Sequence, residues 1–189
     1  NIHVLTHGMG GNADHWLVKA DNGNYLKTDY SLPFVLSDSE DRIDDVGNIV
    51  EETDTFIYKF SHVVRDNIWA TSLFKLELIE DIGQYAFDSC NYIEEDAING
   101  QIILLYEGPM GGDYEYLTNQ EAYERFANSL NTVLTEIKSR QGGYLPSVNL
   151  IGHSRGGIIN LLYAYHYHQI VNNLLSLGTP YIGSTYAEL

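Results

Sequence analysis

The chain has one cysteine, few basic residues and no long apolar run, and each shortage excludes a class of protein. Because Cys90 is the only cysteine among 189 residues, an internal disulfide is impossible, and one common sign of an extracellular fold is missing. Lys and Arg number 10 against 26 Asp and Glu, which gives a formal net charge of −16. This charge repels nucleic acid and anionic lipid head groups, so we expect no nucleic-acid partner.

No apolar run approaches the roughly 20 residues that a helix needs to cross a bilayer, so the sequence predicts no transmembrane segment. The chain begins Asn1-Ile2-His3-Val4-Leu5, without Met or a charged leader, and these residues already resemble a buried strand. We therefore expect the native N-terminus to lie upstream, which leaves secretion and a cytoplasmic location both open. The 44% hydrophobic content is enough for one core, and we expect a single domain over 1–189.

Short β-prone segments alternate with amphipathic patterns along the chain. Strands are predicted at 2–6, 55–60, 101–106, 148–151 and 174–177, and the clearest helix at 119–138. This alternation predicts an α/β fold with a mostly parallel sheet and helices on both faces. Two stretches, 37–54 and 62–100, do not fit the alternation and are interpreted as insertions. The apolar residues of the second leave two functions open, a lid over a site or ordinary cover of the core.

One motif joins a strand, a sharp turn and a helix in the order that an exposed nucleophile requires. Residues 148–157 read VNLIGHSRGG, which places Ser154 at the turn of a GxSxG pattern. Side chains at Gly152 or Gly156 would crowd the neighbouring strand and helix, so these positions need glycine. We therefore interpret Ser154 as a catalytic nucleophile, the alternative being a structural serine in a tight turn.

Acyl transfer also needs two backbone N–H donors that face the developing oxyanion. One is expected from the residue after the nucleophile, Arg155, at the positive end of the following helix. The second is expected from the loop after an early strand, where HGMGG at 7–11 follows the strand 2–6. Met9 is assigned as that donor, because Gly8 and Gly10 on either side allow the backbone to turn inward. The alternative is a flexible glycine-rich loop without a role.

Three motifs give the chain a resemblance to a known group of enzymes. They are HGMGG at 7–11, NLIGHSRGG at 149–157 and SLGTPYIGS at 176–184. The sequence resembles the lipase and esterase branch of the α/β-hydrolase superfamily, including GPI inositol-deacylase-like and bacterial triacylglycerol-lipase-like proteins. The resemblance implies the same roles for Met9, Ser154 and Arg155, and it implies a carboxylic-ester hydrolase that needs no cofactor.

The resemblance also predicts a catalytic acid and then a histidine on later strands, and these are missing from this chain. After Ser154 the sequence offers one acid, Glu188, and two histidines, His166 and His168. These histidines are interpreted as ordinary helix residues, and their spacing does not favour a metal pair. We expect the chain to be truncated, with the acid, the base and the rest of the hydrolase domain in a longer chain.

Two further segments are candidate sites. The acidic run from Asp38 to Asp45 lacks the spacing of an EF-hand, and it is interpreted as a solvated loop, so no metal site is predicted. The segment 106–113 follows a strand end, where α/β proteins place ligand contacts, and it is a candidate lining of a substrate pocket.

The leading hypothesis is a serine hydrolase of lipid or other hydrophobic esters that works through an acyl-enzyme on Ser154. The expected partner is thus a small-molecule or lipid ester substrate. The second hypothesis is a binding module that keeps the hydrolase fold and lacks the triad acid and base.

Overall fold

A computed structural model describes residues 2–16, 18–19, 25–26, 42–43, 49–50, 55–65, 68–79, 87–90, 93, 95–108, 110 and 117–183. A 3₁₀ helix covers Ala13–Trp16, and the α-helices are α1 (Glu95–Asn99), α2 (Asn119–Arg140) and α3 (Arg155–His166). The strands are β1 (Ile2–Thr6), β2 (Val18–Lys19), β3 (Tyr25–Leu26), β4 (Arg42–Ile43), β5 (Ile49–Val50), β6 (Thr55–Arg65), β7 (Ile68–Ile79), β8 (Phe87–Cys90), β9 (Gln101–Tyr106), β10 (Val148–His153) and β11 (Val171–Leu177).

A seven-stranded sheet in the order β11-β10-β1-β9-β6-β7-β8 forms the centre of the fold. The five strands from β11 to β6 are all parallel to one another. β7 and β8 continue the sheet in antiparallel pairing beyond β6. The predicted α/β class with a mostly parallel sheet is therefore confirmed.

The sheet has an apolar layer on each face, as expected for buried parallel strands. The larger core cluster lies on the face where α1, α2 and α3 pack, and it includes Val4, Tyr58, Leu104, Phe126 and Tyr163. The smaller cluster lies on the opposite face, where Ala13 and Trp16 of the 3₁₀ helix cover Leu5, Leu105 and Ile151. The alternation of neighbouring strand residues between the two clusters follows from the two-residue repeat of a strand.

The clearest predicted helix, 119–138, is confirmed, and it extends two residues further, to Arg140. Its first turn is fixed by a capping box, in which the Thr118 hydroxyl accepts from the Glu121 N–H and the Glu121 carboxylate accepts from the Thr118 N–H. This reciprocal pair satisfies two N–H groups that have no partner within the helix. The capping box therefore fixes the residue at which α2 begins.

The strands at 2–6 and 101–106 have the predicted bounds. The other three are longer, since β6 continues to Arg65, β10 to His153, and β11 begins at Val171. In the stretch 62–100, the described residues include the end of β6, β7 and β8, which extend the sheet, and the helix α1. Most of the stretch 37–54, including the acidic run, lies outside the described residues. A single domain with these two insertions stays a prediction.

In the part of the chain that the structure describes, no helix is both long and apolar enough to cross a membrane.

Candidate active site

The loops after β1 and β10 meet at one edge of the sheet. These strands are parallel neighbours in a register that pairs Thr6 with Gly152, so their carboxyl ends lie level. From β1 the chain continues to the β6 and β9 side of the sheet, and from β10 it continues to β11 on the other side. Ligands of open α/β sheets bind in the crevice where strand order diverges in this way. The two predicted motif loops therefore border such a crevice.

Ser154 occupies the turn between β10 and α3 with an unusual backbone conformation, φ 53° and ψ −123°. It is the one non-glycine residue with a positive φ among the described residues. Such a conformation costs free energy and persists where the surrounding structure holds it. The Ser154 N–H donates to the Leu177 carbonyl at 2.8 Å, which ties the turn to the end of β11. The half-buried side chain is thus carried on a strained turn, as in a nucleophile elbow.

The glycines around this turn permit contacts that a side chain would prevent. A Cβ on Gly152 would lie 2.5 Å from the Gly157 nitrogen, and a Cβ on Gly156 would lie 2.3 Å from the Thr6 carbonyl oxygen. Both obstacles are backbone atoms, which cannot rotate away. The expectation that side chains at these positions would crowd the neighbouring strand and helix agrees with this geometry.

The loop after β1 lies directly against the serine. A Cβ on Gly8 would be 2.9 Å from the Ser154 Cβ and 3.3 Å from the Ser154 Oγ. The Gly11 N–H donates to the Gly8 carbonyl at 3.1 Å, and Gly10 has φ 68°. This pattern is that of a type II turn with Met9 at its second position. The structure therefore brings the backbone around Met9 next to Ser154, with the Met9 side chain 47% exposed.

His7 supports this loop from beneath, a role that the sequence reasoning missed. Its ring is 2% exposed, with Nδ1 2.8 Å from the Gly8 carbonyl oxygen and Nε2 3.1 Å from that of Gly108. A neutral ring carries one N–H, so it donates to one of these carbonyls at a time. Burial lowers the pKa of His7 below 6.5 despite the two carbonyls, which favour the charged form, and nearby His15 lowers it further. The sequence feature that could have indicated this role of His7 is its position directly before Gly8 in the HGMGG motif.

The loop after β9 braces the same structure at a second point. The Ala13 N–H, at the start of the 3₁₀ helix, donates to Glu107 Oε2 at 2.9 Å. Tyr106, which the sequence placed in a candidate pocket lining, is fully buried and stacks on His7 with ring centroids 6.1 Å apart. Tyr106 thus belongs to the core beneath the loop. Residues 109 and 111–113 of that candidate lining lie outside the described residues.

The side chain of Arg155 was also missed, since sequence reasoning assigned only its backbone N–H. Its guanidinium donates to the carbonyls of Met110 and Leu117, and its Nε donates to Asn119 Oδ1 at 3.0 Å. No local pattern predicts these bonds, because their acceptors lie 36 to 45 positions away along the chain.

The later histidines are far from the turn. His166 ends α3, twelve positions after Ser154, which corresponds to about 18 Å along a helix. Its ring stacks on Tyr123 at a centroid distance of 5.3 Å, and His168 is exposed beyond the helix. The interpretation as an ordinary helix residue is confirmed for His166, whereas it is wrong for His168, which lies in the turn after α3. Glu188 lies outside the described residues.

A parallel sheet with a sharp serine turn between a strand and the following helix is the arrangement found in the α/β-hydrolase fold. Residues 82–187, more than half of the chain, match the model of the family described as the PGAP1-like alpha/beta domain. The chain belongs to this family. The resemblance to the lipase and esterase branch that the sequence motifs suggested is thereby confirmed.

Among solved structures, the chain is similar to the crystal structure of the product of gene lin2722 from Listeria innocua. The two are 16% identical with a TM-score of 0.45, and the similarity covers 95% of this chain and 51% of that protein. The chain thus spans about half the length of this neighbour. No curated protein matches the chain.

Proposed function

We propose that the protein is a cofactor-free carboxylic-ester hydrolase in which Ser154 forms an acyl-enzyme. The observation that carries this proposal is the conformation of Ser154, with φ 53° between β10 and α3, directly against the glycine loop of β1. A strained turn of this kind lifts the hydroxyl out of the strand and above the N-terminus of a helix. The Ser154 side chain makes no capping bond to α3, so helix capping does not explain a serine at this position.

The reaction begins when the Ser154 hydroxyl oxygen attacks the ester carbonyl carbon and a general base takes the hydroxyl proton. The N–H groups of Met9 and Arg155 stabilise the oxyanion, after which the C–O bond of the ester breaks and the alcohol leaves with the proton. Water then attacks the acyl-enzyme and releases the carboxylic acid. Among the described residues Ser154 Oγ forms no hydrogen bond to a histidine, so we assign the base to another part of the protein.

A hydrophobic ester is favoured as the substrate because apolar side chains are exposed at the same edge of the sheet. Met9 in the first loop is 47% exposed, and Tyr181 and Ile182, which follow β11, are 52% and fully exposed. The Ser154 N–H bond to Leu177 places the end of β11 beside the serine. An apolar acyl or alcohol group would bury part of these side chains, and that burial favours binding by about 25 cal/mol per Å².

The test is labelling with a fluorophosphonate, followed by mass spectrometry of the longest natural form of the protein. We expect an adduct on Ser154 that disappears in Ser154→Ala, and hydrolysis of p-nitrophenyl esters with a preference for acyl chains longer than acetate. Faster hydrolysis of acetate than of any longer ester would contradict the hydrophobic substrate.

The second candidate function is a binding module with the hydrolase fold. It is favoured by the absence of a hydrogen-bonded base on Ser154 within the described residues. A properly folded protein that gives neither an adduct nor hydrolysis would support the module and exclude the esterase.

A further inference from the structure

We propose that the Arg155 side chain is a positioning residue that anchors the first turn of α3 to the loop after β9 and the start of α2. Arg155 is the first residue of α3, so its side chain and its backbone N–H extend from the same point. The catalytic consequence of the anchor rests on the proposed function, whereas the anchor itself does not.

The guanidinium group forms hydrogen bonds to three acceptors, one in the loop after β9 and two at the start of α2. It donates to the carbonyl of Met110, near the end of β9, and to the carbonyl of Leu117, just before α2. Its Nε also donates to Asn119 Oδ1, on the first residue of α2. The planar guanidinium has five N–H donors in fixed directions, so one arginine can hold three acceptors at once, and a lysine cannot reproduce this geometry.

The acceptors are themselves fixed to the body of the fold. Met110 and Leu117 are 2% and 5% exposed, and both belong to the larger core cluster. Asn119 follows Thr118, whose capping box with Glu121 defines the start of α2. Since each acceptor is held by core packing or by a cap, the guanidinium is attached to rigid groups. The side chain therefore joins the first residue of α3 to the loop after β9 and to the start of α2.

This anchor acts on the strained turn at its C-terminal side. On the N-terminal side, the Ser154 N–H bond to Leu177 already holds the turn. Beneath it, Gly156 packs against the Thr6 carbonyl. A positive φ at a non-glycine residue relaxes unless its neighbours hold it. We infer that the Arg155 side chain supplies this constraint for the residue whose N–H is the proposed oxyanion donor.

The test uses Arg155→Met, Arg155→Lys and the control Arg140→Met in the longest natural form of the protein. Arg140 is a matched surface arginine, since it pairs with Glu136 at the far end of α2. All three variants keep every backbone N–H.

If the side chain orients the oxyanion donor, Arg155→Met lowers kcat about 10- to 100-fold and changes KM less than twofold, because oxyanion stabilisation exists only in the transition state. Arg155→Lys recovers part of kcat, and Arg140→Met keeps the original value. If Arg155→Met raises KM alone, or leaves kcat unchanged, the catalytic role is overturned.

Hydrogen exchange of the backbone amides provides a readout that does not depend on activity. In Arg155→Met we expect faster exchange at 117–122 and 155–158, with unchanged exchange in the middle of α2, whereas Arg140→Met alters neither segment. Unchanged exchange at both segments overturns the anchor. If the original protein is not labelled at Ser154, the proposed function fails. The exchange measurement still shows whether the Arg155 side chain anchors α3.

Discussion

Gly8 and Ser154 lie so close together that a single added methyl group at Gly8 would overlap the serine. The Cβ of an alanine there would be 2.9 Å from the Ser154 Cβ and 3.3 Å from both the Ser154 Oγ and the His153 Nδ1. Real Cβ atoms keep larger distances, so either the loop of β1 or the serine turn would have to move. The position of the first loop is therefore set by contact with the second.

Gly8→Ala is expected to slow fluorophosphonate labelling of Ser154 by at least about 10-fold, because the loop that carries Met9 has to move away from the serine. Thermal unfolding checks that the variant still folds. The control is Gly142→Ala, after α2. An added Cβ there meets no atom within 4 Å, so the unfavourable feature of this substitution is the positive backbone φ of 66°. Equal labelling rates in the two variants would exclude a role for the close contact.

Gly156→Ala is expected to lower the free energy of unfolding by about 1–3 kcal/mol, the usual range for overpacking. The added Cβ would lie 2.3 Å from the Thr6 carbonyl oxygen and 2.6 Å from that of His7. Both atoms belong to the backbone at the end of β1, so a side-chain rotation cannot relieve the contact. Urea denaturation of Gly156→Ala measures the effect, and a free energy equal to that of the original protein would refute it.

Two buried threonine hydroxyls are expected to differ in their contribution to stability. Thr6 Oγ1 donates to the buried Asn160 Oδ1 at 2.8 Å, whereas Thr179 Oγ1 is buried without a hydrogen-bond partner in the described residues. Thr6→Val therefore costs about 1–3 kcal/mol, because it leaves a buried acceptor unsatisfied.

Thr179→Val, the matched substitution, leaves the free energy of unfolding unchanged or slightly raised, since no hydrogen bond is lost. The comparison is made by denaturation at one pH. A larger loss for Thr179→Val than for Thr6→Val would contradict the assignment.

The buried His7 predicts that stability falls as the pH is lowered from neutrality. Burial, the main cause, lowers the folded-state pKa of His7 below its ordinary value of 6.5. Below about pH 6.5 the unfolded chain takes up a proton that the folded state does not, so the free energy of unfolding decreases until the pH reaches the folded-state pKa. His3, which is half-buried, is shifted in the same direction, again mainly by burial.

Denaturation between pH 7.5 and 5 checks this prediction. His7→Gln is expected to lose less stability over this window, and the double variant with His3→Gln less still. An identical pH dependence in the original protein and in His7→Gln would show that His7 does not titrate as described.

Much of the fold could be predicted from local patterns. The apolar segments at 2–6 and 101–106 gave strands with the predicted bounds, because a short continuous apolar run between turn residues is visible in the local sequence. The helix from Asn119 was predicted from the helical spacing of its apolar residues. The stretch 62–100 was less clear, since its pairing as β7 and β8 beyond β6 depends on contacts with residues distant in sequence.

For the candidate site, the glycine patterns around Ser154 and after β1 predicted which two loops form it, and the roles of Ser154, Met9 and Arg155 stay predictions. The bracing contacts could not be predicted in this way. His7 bonds the carbonyl of Gly108, 101 positions away, and a histidine before a glycine carries no sign of such a partner.

The turn at Ser154 could be inferred from local sequence, because glycine, a strand and a following helix restrict a turn through their own sterics. The contacts between Gly8 and Ser154, and between Arg155 and the carbonyls of Met110 and Leu117, become visible only in the folded chain. These contacts depend on strand order and register, which place the ends of β1, β9 and β10 side by side. The physical reason is that sheet pairing joins segments across a hundred or more residues, whereas sequence patterns report only on neighbours along the chain.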